Sequence, residues 1–115
     1  MGRKGDIFYV DLSIEDAARE VTLGILDEGA ANKVISEYGD LKAENGFYIL
    51  VFEKSIFKSS NKASLTVCLH KADEKTRVYS IGSGGTKRAL FNFSGQEVEK
   101  FELIPRTVLS EYIYK

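Results

Sequence analysis

The sequence predicts a two-layer α+β sandwich, with an antiparallel sheet of five to six strands and two helices on one face. Three observations carry that expectation. Two segments, one near each end, repeat apolar residues at the helical period. Each follows a serine with an acid three residues on, the pattern of a capped helix start. Between them, runs of β-branched and aromatic residues are separated by short turn signals, which demand antiparallel neighbours.

Residues 6–12 are aromatic and β-branched and read as the first strand. Ser13 is a helix N-cap with Asp16 at the capping-box position, and Glu15 and Asp16 suit the positive end of a helix. Ile14, Ala17, Ala18, Val21 and Ile25 fall on one face, and Gly29 is a stop, so a helix is expected over 14–28. Val34 to Glu44 reads as a strand. Asn45-Gly46 is a hairpin signal, because both residues tolerate positive φ. It leads into the apolar run 47–53. A polar, basic connection over 55–62 follows. Leu65, Val67 and Leu69 then alternate with Ser64, Thr66, Cys68 and His70, giving a strand over 63–70 with one apolar and one mixed face. Ala72 to Lys75 is a turn and Thr76 to Ile81 another strand. Gly82-Ser83-Gly84-Gly85 reads as a bulge or flexible turn before a short apolar segment at 89–93. Ser94 and Glu97 open the last helix, and Val98, Phe101, Pro105, Val108, Leu109 and Tyr112 carry its stripe. Pro105 removes an interior hydrogen bond and is expected to kink or split that helix. The order of elements is similar to that of TATA-binding-protein-like and helix-grip folds. That comparison is by order alone and implies no function.

A length of 115 residues suits a single domain over 1–115. With 43% hydrophobic and 29% charged residues, the composition excludes a disordered or fibrous chain. No apolar run approaches the ~20 residues of a membrane-spanning helix. The N-terminus lacks the apolar stretch of a secretory signal. Cys68 is the single cysteine, which excludes an intramolecular disulfide and a thiolate zinc cluster. His70 is the single histidine, so a histidine-rich metal site is excluded too, and no motif calls for a cofactor. A cytoplasmic protein is the expected setting. The net charge of −1 is unevenly spread: residues 1–53 carry a net of −6 and residues 54–96 a net of +6. Such polarity makes a basic patch, or two halves that neutralise each other across the fold.

Val51-Phe52-Glu53-Lys54, the segment from Asn61 to Val67, and Ile81-Gly82-Ser83-Gly84-Gly85 together resemble a small bacterial family of domains of unknown function, of about this length. In that family a similar glycine stretch precedes a short apolar strand and the last helix. The resemblance spans nearly the whole chain. It implies a bacterial cytoplasmic protein and supplies no activity. Thr86-Lys87-Arg88 stand here where that family carries another glycine and an acid, which makes this chain more basic.

Glycine amides approach an anion closely, so Gly82, Ser83, Gly84 and Gly85 are a candidate anion cradle. The spacing is not that of a phosphate-binding P-loop or of a dinucleotide fingerprint. In a meander, the 55–62 connection and the 82–88 loop share one end of the sheet. That end gathers Lys54, Lys58, Lys62, Lys87 and Arg88 beside the glycines and is expected to attract a small anion. Nucleic acid is not expected, since the pI of 5.9 lacks the basic signature of such proteins. Cys68 and His70, two apart on one strand, share a face with Cα atoms about 7 Å apart, too far for a ready nucleophile–base pair. A structural thiol is the expectation there.

Strand 47–53 is apolar on both faces, and two helices cover one. The set Tyr48, Leu50 and Phe52 is therefore expected to face an identical subunit in a C2 homodimer. A ligand cavity beside the last helix and shielding by lysine stems are the alternatives. These features predict a non-enzymatic interaction module that self-associates through an apolar sheet face. A binder of a small apolar or anionic ligand is the alternative, and an enzyme is the least favoured reading.

Overall fold

The computed structural model describes residues 4–29, 32–41, 46–55, 62–84 and 95–114. In chain order the elements are β1 (Asp6–Val10), α1 (Ile14–Asp27), β2 (Asn32–Asp40), β3 (Phe47–Ser55), β4 (Lys62–Ala72), β5 (Lys75–Gly84) and α2 (Gly95–Val108). The described strands form one antiparallel sheet in the order β1-β5-β4-β3-β2. Both helices pack on one face of it, α2 over β5 and β4, and α1 over β4 and β3. This is a two-layer α+β sandwich.

Helix α1 begins where its sequence says it should. Ser13 Oγ accepts from the backbone N–H of Asp16 at 3.0 Å, satisfying one of the four free amides of the first turn. Its stripe of Ile14, Ala17, Ala18, Val21 and Ile25 is buried. Helix α2 buries Val98, Phe101, Glu102, Pro105 and Leu109. It runs unbroken through Pro105 to Val108, and a single 3-10 turn at Ser110–Tyr112 follows. Pro105 neither splits nor ends the helix. Its ring is fully buried, and that burial offsets the backbone hydrogen bond it cannot make. Ser94, the expected cap, lies outside the described residues, as does the apolar segment 89–93.

The two helices cross closely at Gly24. A Cβ there would run into the Val108 side chain, so this position needs a residue with none. Arg106 ties α2 to the sheet edge. Its guanidinium donates to both carboxylate oxygens of Asp6 at 2.9 Å and lies 4.8 Å from the Phe8 ring centre. The outer edge of β1 is covered by the C-terminal segment: Tyr114 N–H donates to Tyr9 O, and Asp11 N–H to Tyr112 O, both at 2.9 Å.

The β4–β5 hairpin closes through a two-residue turn, Asp73-Glu74, with Asp73 at φ 59°. Beyond Ile81 the strand does not yield to a loop. Gly82, Ser83 and Gly84 continue β5 and pair with Leu65, Ser64 and Ala63. Glycines are poor strand formers, which is why the sequence reads as a turn there. At Gly82 the absence of a side chain is what packing requires, because a Cβ would stand 2.9 Å from the Val98 carbonyl oxygen on α2.

Register fixes which face of each strand meets the helices. Leu65, Val67 and Leu69 of β4 are fully buried, and they oppose Phe52, Leu50 and Tyr48 of β3. Directly opposed residues point to the same side of a sheet. Leu50 (2% exposed) and Phe52 (0%) therefore belong to the core beneath the helices. The expectation that Tyr48, Leu50 and Phe52 form a surface for a second subunit is corrected here. The face opposite the helices is carried by the other parity of the strand, Phe47, Ile49 and Val51.

Candidate functional site

Among the described residues, no element covers the sheet face opposite the helices. Antiparallel register arranges its side chains in rows that cross all five described strands. One row runs Asp40, Phe47, His70, Arg77, Tyr9, and the next runs Tyr38, Ile49, Cys68, Tyr79, Ile7. A third contains Ser36, Val51, Thr66 and Ile81. The central strand β4 contributes Thr66, Cys68 and His70, flanked by Phe47, Ile49 and Val51 of β3 and by Tyr79 and Ile81 of β5, all half-buried. At the margins Ile7 is 36% exposed, Tyr9 38% and Tyr38 69%. On β1 and β3 the outward residues Ile7, Tyr9, Phe47, Ile49 and Val51 are apolar or aromatic, whereas β5 sets Tyr79 and Ile81 beside Arg77 and β4 presents Thr66, Cys68 and His70. Tyr38 and Phe47 pack at 5.9 Å between ring centres, an edge-type aromatic contact on this surface.

Within this face lies a concavity of about 340 Å³, lined by Ile7, Tyr9, Cys68, His70, Arg77 and Tyr79. It is polar at one end and apolar at the other. The Arg77 guanidinium is 3.3 Å from His70 Nδ1. A guanidinium only donates, so it is the donor in this contact. Tyr79 Oη is engaged by the backbone N–H of Gly5 at 3.1 Å, which leaves the ring to form the wall. Burial pushes the Cys68 thiol above its ordinary pKa, so at neutral pH it is a protonated, weakly nucleophilic group. Cys68 and His70 do share a face, as their spacing predicts. Among the described residues no group of three His, Cys, Asp or Glu side chains is arranged to hold a metal ion. A larger concavity, about 700 Å³, sits at the start of α1; it mixes Asp11, Glu15, Asp16 and Glu74 with Lys71 and Lys75.

The expected anion cradle has a different arrangement. Gly82 N–H donates to Oε1 of Glu102 at 2.8 Å, so the chain's own carboxylate occupies that amide. Ser83 and Gly84 are engaged as β5 residues, and the Ser83 carbonyl accepts from Ser64 Oγ at 3.5 Å. Lys62 pairs with Glu53 at 3.5 Å, and Lys33 approaches the same carboxylate at 3.7 Å. The strand geometry thus corrects the anion-site reading at Gly82, Ser83 and Gly84. Lys58, Gly85, Lys87 and Arg88 lie outside the described residues. Glu102 was not singled out by sequence, although it stands four residues after Val98 and three before Pro105, squarely in the apolar stripe. Tyr48 flanks the core on the helix side, where its hydroxyl donates to Glu37 Oε1 at 2.7 Å; that bond raises its pKa. The residues that line the open concavity come from three strands. Only pairing of β1 beside β5 brings Tyr9 to Arg77 and Ile7 to Tyr79.

No helix among the described residues is long and apolar enough to cross a membrane. No curated protein matches the chain, and no solved structure does. A family described as one of unknown function, DUF6054, matches residues 8–113, from the first strand to the bridge that closes its edge, and this 115-residue chain belongs to that family.

Proposed function

We propose that the protein is a non-enzymatic interaction module that self-associates through the open face of its sheet. The observation that carries this reading is the apolar and aromatic content of that face, with Phe47, Ile49 and Val51 on β3 and Tyr79 and Ile81 on β5 flanking the mixed set His70, Cys68 and Thr66 of β4. Five strands about 4.8 Å apart make a face roughly 24 Å wide and 20 Å long. Two such faces bury on the order of 1,000 Å² together, the lower range of a specific interface. Self-association through one face is isologous, with the same patch on both copies. A two-fold axis along the central strand β4 lays β5 of one copy over β3 of the other. It sets Arg77 over Phe47, a cation on an aromatic ring, and brings apolar rows together. Aligned sheets pack in this way at about 10 Å. We further assign the protein to a bacterial cytoplasm, where a lone thiol such as Cys68 stays reduced.

Sedimentation equilibrium of the wild type and two variants tests this. The wild type is expected to be a dimer. Val51→Asp, which puts a charge in the third row, is expected to be a folded monomer. Leu23→Asp, on the exposed flank of α1 (58% exposed), is expected to remain a dimer. A wild-type monomer, or a Val51→Asp variant that dimerises as the wild type does, overturns the reading.

A further inference from the structure

We propose that the concavity on the open face binds a small aromatic carboxylate. The inference stands on the cavity's own chemistry and goes beyond self-association. Arg77 presents a planar fork of five N–H donors, and its one hydrogen bond among the described residues is to Nδ1 of His70. None of the six lining residues is acidic. A guanidinium beside an apolar wall, with no carboxylate in the lining, matches the two coplanar oxygens of a carboxylate and gains a bidentate pair on binding.

The rest of the cavity says what the carboxylate is attached to. The row below Arg77 is apolar, with Ile7, the Tyr79 ring and the protonated Cys68 thiol. Tyr9, opposite Arg77 on β1, supplies a second flat wall. Tyr79 Oη accepts from the backbone N–H of Gly5, which fixes the ring as a flat wall of the cavity. A volume of about 340 Å³ lies at the small end of ligand sites and suits a body of one or two rings. An inorganic anion would satisfy Arg77 and leave this apolar row wet. A neutral aromatic would fill the row and leave the guanidinium unpaired. A carboxylate on a ring does both.

The cavity lies inside the face that a second copy would cover, so the test is made where that cover has been removed. Benzoate, benzamide and inorganic phosphate are titrated into the wild type and into Val51→Asp, followed by amide chemical shifts. Val51 lies outside the cavity. Benzoate is expected to saturate, with shifts centred on Tyr9, Arg77 and Tyr79. Benzamide and phosphate are each expected to bind roughly tenfold more weakly or worse, for want of the charged pair or the apolar row. Arg77→Gln, checked for an unchanged melting temperature, is expected to lose roughly tenfold or more in benzoate affinity, and Arg77→Lys to fall between. Failure of benzoate to saturate Val51→Asp, equal affinity for benzamide, or an Arg77→Gln variant that binds as the parent does overturns the proposal. The mass of Val51→Asp in the same samples reports separately on self-association, so each reading fails on its own evidence.

Discussion

The backbone N–H of Gly82 donates to Oε1 of Glu102 at 2.8 Å, and the backbone oxygen of Glu102 accepts from Ser80 Oγ at 2.9 Å. One residue of α2 therefore closes the upper end of β5. The reason lies in the sheet. β1 stops at Asp6, opposite Ser80, so among the described residues β5 has no strand partner on that flank beyond this point. A buried amide needs an acceptor, and a glutamate in the apolar stripe of α2 supplies it.

Removing that acceptor should be costly. Glu102→Ala is expected to lower stability by about 1–3 kcal/mol, through loss of its buried hydrogen bond to the Gly82 amide. Glu102→Gln keeps an oxygen in place and should lose less. Urea unfolding of both variants checks this, and an alanine variant as stable as the glutamine variant would refute the assigned role.

The helix crossing makes a second demand. Gly24→Ala places a methyl group against Val108 and is expected to cost about 1–3 kcal/mol through overpacking. Val108→Ala opens room at the same spot. The double variant should recover part of the loss, and thermal unfolding of the four proteins of the cycle reads that coupling.

Cys68 reports on the open face. Its raised pKa keeps the thiolate fraction low at neutral pH, so thiol-specific labelling should be slower than for an ordinary exposed cysteine and should accelerate as pH rises. If a second copy covers this face, labelling should also accelerate on dilution. Rates measured across concentration at fixed pH separate the two effects. A rate independent of concentration speaks against cover by a second copy.

Much of this fold is written locally. Ser13, Asp16 and the five buried positions of α1 carry that helix to within a residue of its ends, because capping and the apolar period are short-range properties. The strands of the meander are legible for the same reason. What is not local was not legible. Strand β3 is apolar on both faces, so its own pattern leaves open which side meets the helices. Only its pairing with Leu65, Val67 and Leu69 on β4 decides that, and the connection over 55–62 gives no register. Gly82 looks like part of a turn until α2 is laid across β5 and needs the space, and Gly84 until β4 passes close beside it at Lys62 and Ala63. The open-face cavity depends on β1 lying beside β5, between strands far apart in sequence, so no spacing pattern announces Tyr9 beside Arg77.

The central claim is that a second copy covers the open face. Isotope-filtered NMR on an equal mixture of labelled and unlabelled protein tests it most directly, since it registers only contacts between copies. The account predicts intermolecular contacts from the methyl groups of Ile49, Val51 and Ile81. Contacts arising instead from Leu23 and Leu26 of α1, or none at concentrations where the wild type is a dimer, would contradict it.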